Sequence, residues 1–162
     1  MKDYSFLKKY ILRSESDQAP GQKHTFYPLD QSQIIEAENR INRTFPRELK
    51  DFFEQIGYGF MCKDGKNLFT NRLMDPHSIA DLVLGENIYE DYYLIDELEE
   101  EPHLFPFFEV GDDSFIFLDL NQQSEKGICP VDYAGIKIAD SLEEFMRKLD
   151  AQENYYLAVD VD

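Results

Sequence analysis

The stretch LFPFFEVGDDSFIFLDL, residues 104–120, decides the fold class of this chain of 162 residues. Its two apolar runs, 107–110 and 115–120, are rich in aromatic and β-branched side chains, which favour strands. Between them, residues 111–114 are Gly-Asp-Asp-Ser, the residue types that form tight turns. The stretch therefore predicts a strand, a turn and a second strand.

Shorter runs on the C-terminal side extend this predicted sheet. Residues 128–131 and 136–138 are mainly apolar and are separated by 132–135, which predicts two further short strands. The tail alternates apolar residues with small or acidic ones. This alternation predicts a C-terminal edge strand that contains Leu157, Val159 and Val161.

Helical patterns precede the strands. Asp30 and Asp75 stand before apolar residues at helical spacing and predict the starts of two helices, the second of which ends at Gly85. Pro46 is expected at the first position of a helix that ends at Gly57. Because these starts and stops agree with the apolar spacing, three helices are expected between Asp30 and Gly85.

The order of the predicted elements defines the fold class. Residues 6–11 predict a short amphipathic helix, residues 14–27 a polar linker, and the capping-box pair Ser141 and Glu144 a last helix. Helices, then strands, then a helix predict an α+β fold with an antiparallel sheet. The positions with the strongest periodicity are expected to be buried: Leu49, Phe52, Phe53, Ile56, Phe115, Phe117, Phe145 and Leu149.

The composition predicts one globular domain over residues 1–162. Hydrophobic residues make up 43% and aromatic residues 14%, enough for a core although Trp is absent. No stretch approaches the ~20 apolar residues of a membrane span, and the N-terminus lacks a leader pattern, so a cytoplasmic location is expected. Cys62 and Cys129 lack metal-type spacing and are expected to be buried thiols, with a single disulfide as the alternative.

The net charge of −17 is concentrated in one part of the chain. Residues 73–125 contain 15 acidic residues and no Lys or Arg. Since phosphate groups are bound by Lys and Arg, nucleic acid and anionic membrane surfaces are disfavoured as partners. A basic protein partner, a cation or solubility alone remain as explanations for the acidic block.

Residues 86–101, called the acidic segment below, are the strongest candidate for a binding site. Eight carboxylates are interleaved with three tyrosines, and Tyr is favoured at protein interfaces. Ile88, Tyr92 and Ile95 are expected to anchor the segment to the protein at helical spacing. The alternative is a solvated acidic helix or loop. The candidate partner-binding residues are Glu86, Tyr89, Glu90, Asp91, Tyr93, Asp96, Glu97, Glu99, Glu100 and Glu101.

No metal, cofactor or catalytic site is predicted. The acidic segment lacks the spacing of a calcium-binding loop, and His77 and His103 are expected to be partly exposed beside carboxylates. A histidine beside Cys62 or Cys129 is the one nucleophile arrangement left open, and structural thiols are expected. A mixed, solvated surface is expected from charged residues of two neighbouring helices: Glu36, Glu38, Arg40, Arg43, Arg47, Glu48, Lys50 and Asp51.

Three pieces of sequence, taken in order, resemble the SUKH superfamily of Smi- and Knr-like proteins. The first is an amphipathic helix followed by FPRELKDFF at 45–53 and GYGF at 57–60. The second is the stretch 104–120, and the third is IADSLEEF at 138–145. The resemblance covers about residues 34–149. The chain departs from many members in its Gly-Tyr-Gly turn, where an Asn-Gly-Gly type is common, and in its lack of Trp.

The resemblance implies an α+β domain with helices packed on an antiparallel sheet, preceded here by a helical and loop extension over residues 1–30. It also implies no enzymatic activity, since bacterial members are mostly immunity proteins that bind toxin domains, often nucleases. Together with the charge, it predicts a non-enzymatic immunity protein that neutralises a basic toxin domain. A scaffold or regulatory binding module is the alternative, and a hydrolase with an unrecognised site is the second alternative.

Overall fold

A computed structural model describes residues 2–13, 17, 21–63, 67–111 and 113–158 of the chain. Within them, seven strands form one sheet whose order follows the chain and whose neighbouring strands are all antiparallel. The predicted α+β class with an antiparallel sheet is confirmed. The strands are β1 Thr25–Tyr27, β2 Tyr58–Phe60, β3 Arg72–Leu73, β4 Leu104–Gly111, β5 Ser114–Asp119, β6 Val131–Tyr133 and β7 Ile136–Ala139.

Helices connect and cover these strands. In the described residues, α1 packs against α3, and α5 contacts both α2 and β7. No helix in this part of the chain is both long and apolar enough to cross a membrane. The α-helices are α1 Gln31–Ile41, α2 Arg47–Gln55, α3 Pro76–Leu84, α4 Leu94–Glu100 and α5 Leu142–Ala151. The 3₁₀ helices are Ser5–Tyr10, Asn87–Tyr89, Leu120–Gln122 and Tyr155–Ala158.

The helices begin and end where their capping residues predict. The side-chain oxygens of Asp30, Asp75 and Ser141 each accept a hydrogen bond from a first-turn backbone N–H. Gly85 ends α3 in the left-handed conformation, with a φ of 68°. One start is displaced by a residue, because Pro46 has an extended ψ of 141° and precedes α2 instead of opening it.

The sequence pattern did not reveal β1, β2 and β3. Residues 25–27 fall in the predicted polar linker, but they form β1 and pair with β2. Strands of two or three residues are too short to show the alternation that identifies a strand. Gly59 permits the pairing, because a Cβ at this position would lie 2.0 Å from the carbonyl oxygen of Thr25.

Two predictions near the C-terminus are wrong in detail. Instead of residues 128–131, the strand is β6 Val131–Tyr133, which begins after Pro130, a residue with no N–H to give to a sheet. Leu157 lies in a 3₁₀ helix and not in an edge strand, and Val159 and Val161 lie outside the described residues. This 3₁₀ helix is held to the sheet by Tyr155, whose hydroxyl donates to a β7 carbonyl at 2.9 Å.

The aromatic side chains of α2 lie at the centre of the core. Seven of the eight positions expected to be buried are buried, and Phe117 is half-buried. Phe52 makes edge-to-face contacts with Tyr4 and Phe26, at centroid distances of 4.9 and 5.9 Å. Through these rings α2 joins the N-terminal 3₁₀ helix to β1.

Glu48 is buried, contrary to the prediction of a solvated surface, and it links three parts of the fold. Its carboxylate accepts the backbone N–H of Cys129 at 2.9 Å and that of Leu142 at 3.1 Å. The second bond lies at the N-terminus of α5, where a negative charge is favourable. Asp51 is also buried and forms an ion pair with Arg47 at 3.3 Å. Buried carboxylates need such donors, and sequence spacing does not show which distant N–H groups will supply them.

Replacing Glu48 with Gln should lower the free energy of unfolding by about 1–3 kcal/mol near neutral pH, because the amide nitrogen would face backbone donors. Burial raises the pKa of the Glu48 carboxyl, more than its hydrogen bonds lower it. A carboxyl group with a raised folded pKa stabilises the protein fully below its unfolded pKa, and this contribution is lost as pH rises through the folded pKa. The difference in the free energy of unfolding between the wild type and Glu48→Gln should therefore become smaller as pH rises from the unfolded pKa to the folded pKa of Glu48.

Urea melts at several pH values test this expectation. Glu54→Gln is the matched control, because Glu54 is exposed on the same helix. The control should change stability by less than about 0.5 kcal/mol. Equal effects of the two substitutions would show that the buried hydrogen bonds of Glu48 contribute nothing to stability.

Candidate partner-binding surface

The acidic segment begins after α3 and ends before β4. It contains the 3₁₀ helix Asn87–Tyr89, a turn, and α4. Asn87 and Asp91 have φ values of 55° and 57°, a left-handed conformation that Asn and Asp adopt more readily than most residues. The side chains of the segment divide into an inward and an outward set.

The carboxylates of the acidic segment belong to the outward set. All eight acidic residues between 86 and 101 are exposed. The inward set is Tyr89, Leu94 and Leu98, which are 3%, 8% and 8% exposed. The segment is thus attached by one apolar face and presents its acids to solvent.

This division differs from the predicted anchoring in two respects. Ile88 is 79% exposed, so the expectation that it anchors the segment is wrong; Tyr92 and Ile95 are partly buried. Tyr89, a candidate partner-binding residue, is buried instead and packs edge-to-face against Phe115 at 6.2 Å. The helical spacing assumed from the sequence does not hold here, because the segment consists of a short 3₁₀ helix, a turn and α4 instead of one continuous α-helix.

Two apolar side chains remain exposed among the carboxylates. Tyr93 is 59% exposed, and its hydroxyl donates a hydrogen bond to the backbone carbonyl of Asp113. Its ring lies 5.0 Å from that of Tyr92, which in turn packs on Phe115. Tyr93 and Ile88 therefore offer apolar area within a charged surface, and Tyr93 is held in place by its contacts.

Most of the charge of the acidic segment is not neutralised by neighbouring side chains. Arg40 forms ion pairs with Glu86 at 2.9 Å and with Asp81 at 2.5 Å. Among the described residues, the other seven carboxylates of the segment have no Lys or Arg nitrogen within 4.0 Å. Within the described part of the chain, these seven charges on exposed side chains are thus uncompensated, and their field extends into solvent.

The basic residues of α1 and α2 do not form a patch. Arg43 donates to the carbonyl of Pro102 at 2.8 Å, and Lys50 pairs with Glu38 at 3.3 Å. Arg40 and Arg47 form the ion pairs already described. Each of the four basic residues therefore has its own separate partners. Nothing in their arrangement provides a site for phosphate.

The structure brings one cysteine and one histidine together in the interior. The Nδ1 atom of His24 accepts the backbone N–H of Cys62 at 3.0 Å, and its Nε2 atom lies 2.8 Å from Asp150. His24 is fully buried, Cys62 is 1% exposed, and the Cys62 thiol donates to the carbonyl of Leu149. A substrate has no access to this thiol, so the arrangement supports a structural role.

The other candidate reactive groups have structural surroundings as well. Cys62 and Cys129 are both free, and burial raises the pKa of the Cys129 thiol to about 11, which keeps it protonated near neutral pH. His77 is partly exposed and lies 3.1 Å from Glu36, as predicted. Within the described ranges, no three His, Cys, Asp or Glu side chains are grouped to hold a metal ion.

Comparison with known proteins identifies the family. The family model SUKH_6, described as SMI1-KNR4 cell-wall, matches residues 31–146, which agrees with the resemblance seen over 34–149. The chain belongs to this SUKH family. It is also 37% identical over 140 residues to a protein of Bacillus subtilis (strain 168) named immunity protein YxxD. The alignment covers 85% of this chain and 90% of that relative.

Proposed function

We propose that this chain is an immunity protein that binds and neutralises a toxin domain with a basic surface, a nuclease being the leading case. The seven uncompensated carboxylates on the exposed face of the acidic segment carry the proposal. The name of the Bacillus subtilis relative and the SUKH family support the immunity role. The charge supports a basic partner, since complementary potentials favour association.

The proposed mechanism is occlusion of the toxin's active site. A nuclease binds phosphates with Lys and Arg, and the carboxylates of the acidic segment would occupy the same cationic groups. Ile88 and Tyr93 would add the apolar contact that makes an interface specific, because charge alone does not distinguish one basic protein from another. Electrostatic steering would bring association toward ~10⁸ M⁻¹s⁻¹ at low salt, which suits a protein that protects its own cell from inside the cytoplasm.

The proposal is tested by capture and by rescue. The tagged protein is used to isolate partners from its native cells, and each captured protein is expressed in a heterologous host with and without this chain. Growth arrest by the captured protein, relieved by co-expression, is the expected result. Capture of a non-toxic endogenous protein in a stoichiometric complex would instead support the scaffold or regulatory alternative.

Because the proposed action is stoichiometric binding, the purified protein should show no turnover of nucleic acids, phosphodiesters, esters or glycosides. The buried position of Cys62 and His24 supports this expectation. The assays are run on freshly purified protein and on a Cys62→Ala, Cys129→Ala double variant as a control for trace thiol chemistry. Reproducible activity that one carboxylate or cysteine substitution abolishes would favour the hydrolase alternative.

A further inference from the structure

A groove lies beside the acidic segment, between α4 and the turn that joins β6 to β7. Its volume is about 390 Å³, room for more than a single water molecule. Leu94 and Leu98 of α4 and the half-buried Phe117 of β5 provide an apolar floor. A side chain with an aliphatic stem can therefore pack in the groove.

Carboxylates from three separate parts of the chain stand around this floor. They are Glu97 and Glu101 at α4, Asp119 at the end of β5, and Asp132 in β6. No Lys or Arg lines the groove in the described part of the chain, although His103 does. Four acids around an apolar floor fit a long side chain with a cationic head.

The carboxylate of Asp132 can accept further hydrogen bonds. It accepts one hydrogen bond from its surroundings, from the N–H of Gly135 at 3.2 Å. Burial is the main cause that raises the pKa of the Asp132 carboxyl; the hydrogen bond from the Gly135 N–H and the charge of His103 oppose this shift, and the nearby charges of Asp119 and Glu101 add to it. The mutual repulsion of these carboxylates is the kind of strain that a bound cation relieves.

We propose that the groove receives an arginine side chain of the partner protein, with its stem on Leu98 and Phe117 and its guanidinium between Asp119 and Asp132. Arginine is favoured over lysine because a planar guanidinium can bond several carboxylates at once. This inference rests on the proposed function, since it identifies how that partner is recognised. Glu97 and Glu101 belong to both the groove and the acidic segment, so one docked partner can contact both.

The groove gives the acidic surface a means of selection. A field of exposed carboxylates attracts any basic protein, whereas a groove requires one cationic side chain at a defined place. Buried arginine anchors commonly account for much of the binding energy of an interface. The expected division is that the exposed acids set the association rate and the groove sets the dissociation rate.

The direct test is a titration of the ¹⁵N-labelled protein with N-acetyl-arginine amide, followed by NMR. Saturable shifts are expected at the backbone amides of Leu98 and Gly135. N-acetyl-citrulline amide, the neutral isostere, should bind at least about tenfold more weakly, because it lacks the charge. Asp132→Asn should weaken the binding of the arginine probe by about tenfold. The substitution keeps the oxygen that accepts the Gly135 N–H.

Glu99→Gln is the matched control, because it removes the same charge from an exposed residue of α4 that does not line the groove. It should leave the affinity for the arginine probe within about twofold. Equal binding of the arginine and citrulline probes, or equal effects of the two substitutions, would overturn the groove proposal. Melting temperatures no lower than that of the wild type establish that both variants are folded.

The outcomes separate this inference from the proposed function. If the arginine probe does not bind in the groove but the protein still neutralises a captured toxin, the groove proposal fails alone. If the probe binds and every captured partner is non-toxic, the immunity proposal fails alone. If a toxin is captured, Asp132→Asn should speed its dissociation about tenfold, and Glu99→Gln should not.

Discussion

Replacing Phe52 with Ala is expected to lower the free energy of unfolding by about 3–5 kcal/mol, the cost of a large cavity in a packed core. Phe52 is fully buried, and its ring lies between Tyr4 and Phe26. These partners are the residue that precedes the N-terminal 3₁₀ helix and a residue of β1, both far from α2 in sequence. The cavity would thus remove contacts that join α2 to these two parts of the fold.

Denaturant melts measure this loss, with unchanged slopes as the sign that the unfolded state is the same. Leu68→Ala is the control, because Leu68 is 97% exposed and should cost less than about 0.5 kcal/mol. Domains of this kind are stable by roughly 5–15 kcal/mol, so the Phe52 variant should remain folded but weakened. A loss below about 1 kcal/mol would mean that the core does not close around this ring.

The elements that sequence patterns predicted well are those whose signals are local. A side-chain cap and an apolar stripe lie within about ten residues of one another in α1, α3 and α5, and α3 also has a terminating glycine, Gly85. The hairpin of β4 and β5 is equally local, since one turn joins two long apolar strands. In each case the physical cause of the element is contained in the stretch that forms it.

The elements that sequence patterns missed depend on distant partners. β1 pairs with β2 across more than thirty residues, and neither strand is long enough to be recognised alone. Glu48 can be buried because the backbone N–H groups of residues 129 and 142 donate hydrogen bonds to its carboxylate, and the sequence spacing around residue 48 does not show this. Tertiary contacts, and not propensity, decide these cases.

The candidate site also combines features that the local sequence reveals with features that depend on distant residues. The absence of Lys and Arg from residues 73–125 is visible in sequence and indicates an acidic surface. Which side chains face outward depends on the break between the 3₁₀ helix and α4, and the structure buries Tyr89 and exposes Ile88, the reverse of the expectation. The groove was not foreseeable, because Asp119 and Asp132 approach α4 only when the sheet has formed.

Neutralising four carboxylates of the acidic segment should slow association with the partner by about ten- to a hundredfold at low salt. The variant combines Glu90→Gln, Asp91→Asn, Glu97→Gln and Glu100→Gln, all at exposed positions. When free, the same variant should melt at a slightly higher temperature than the wild type. The net charge of the wild type is −17, and the variant reduces the repulsion among acidic side chains in the folded state. Stopped-flow association and thermal melts measure the two effects.

Salt should reproduce both effects in the wild-type protein. Screening shortens the reach of the charges from ~8 Å at physiological ionic strength to ~3 Å at 1 M. Rising NaCl should therefore stabilise the free protein and weaken the complex over the same range. The control variant carries Glu36→Gln, Glu54→Gln, Glu125→Gln and Glu153→Gln, which remove the same charge at exposed positions outside the acidic segment.

The comparison of the two variants distinguishes an effect of net charge on association from an effect of a specific docking surface. Both should relieve self-repulsion and raise the melting temperature of the free protein, since each removes four negative charges. Only the variant of the acidic segment should lose most of the steering, because the local field at the docking face, and not the total charge, guides the encounter. If both variants slow association equally, the acidic segment acts through net charge alone and the partner docks elsewhere on the protein.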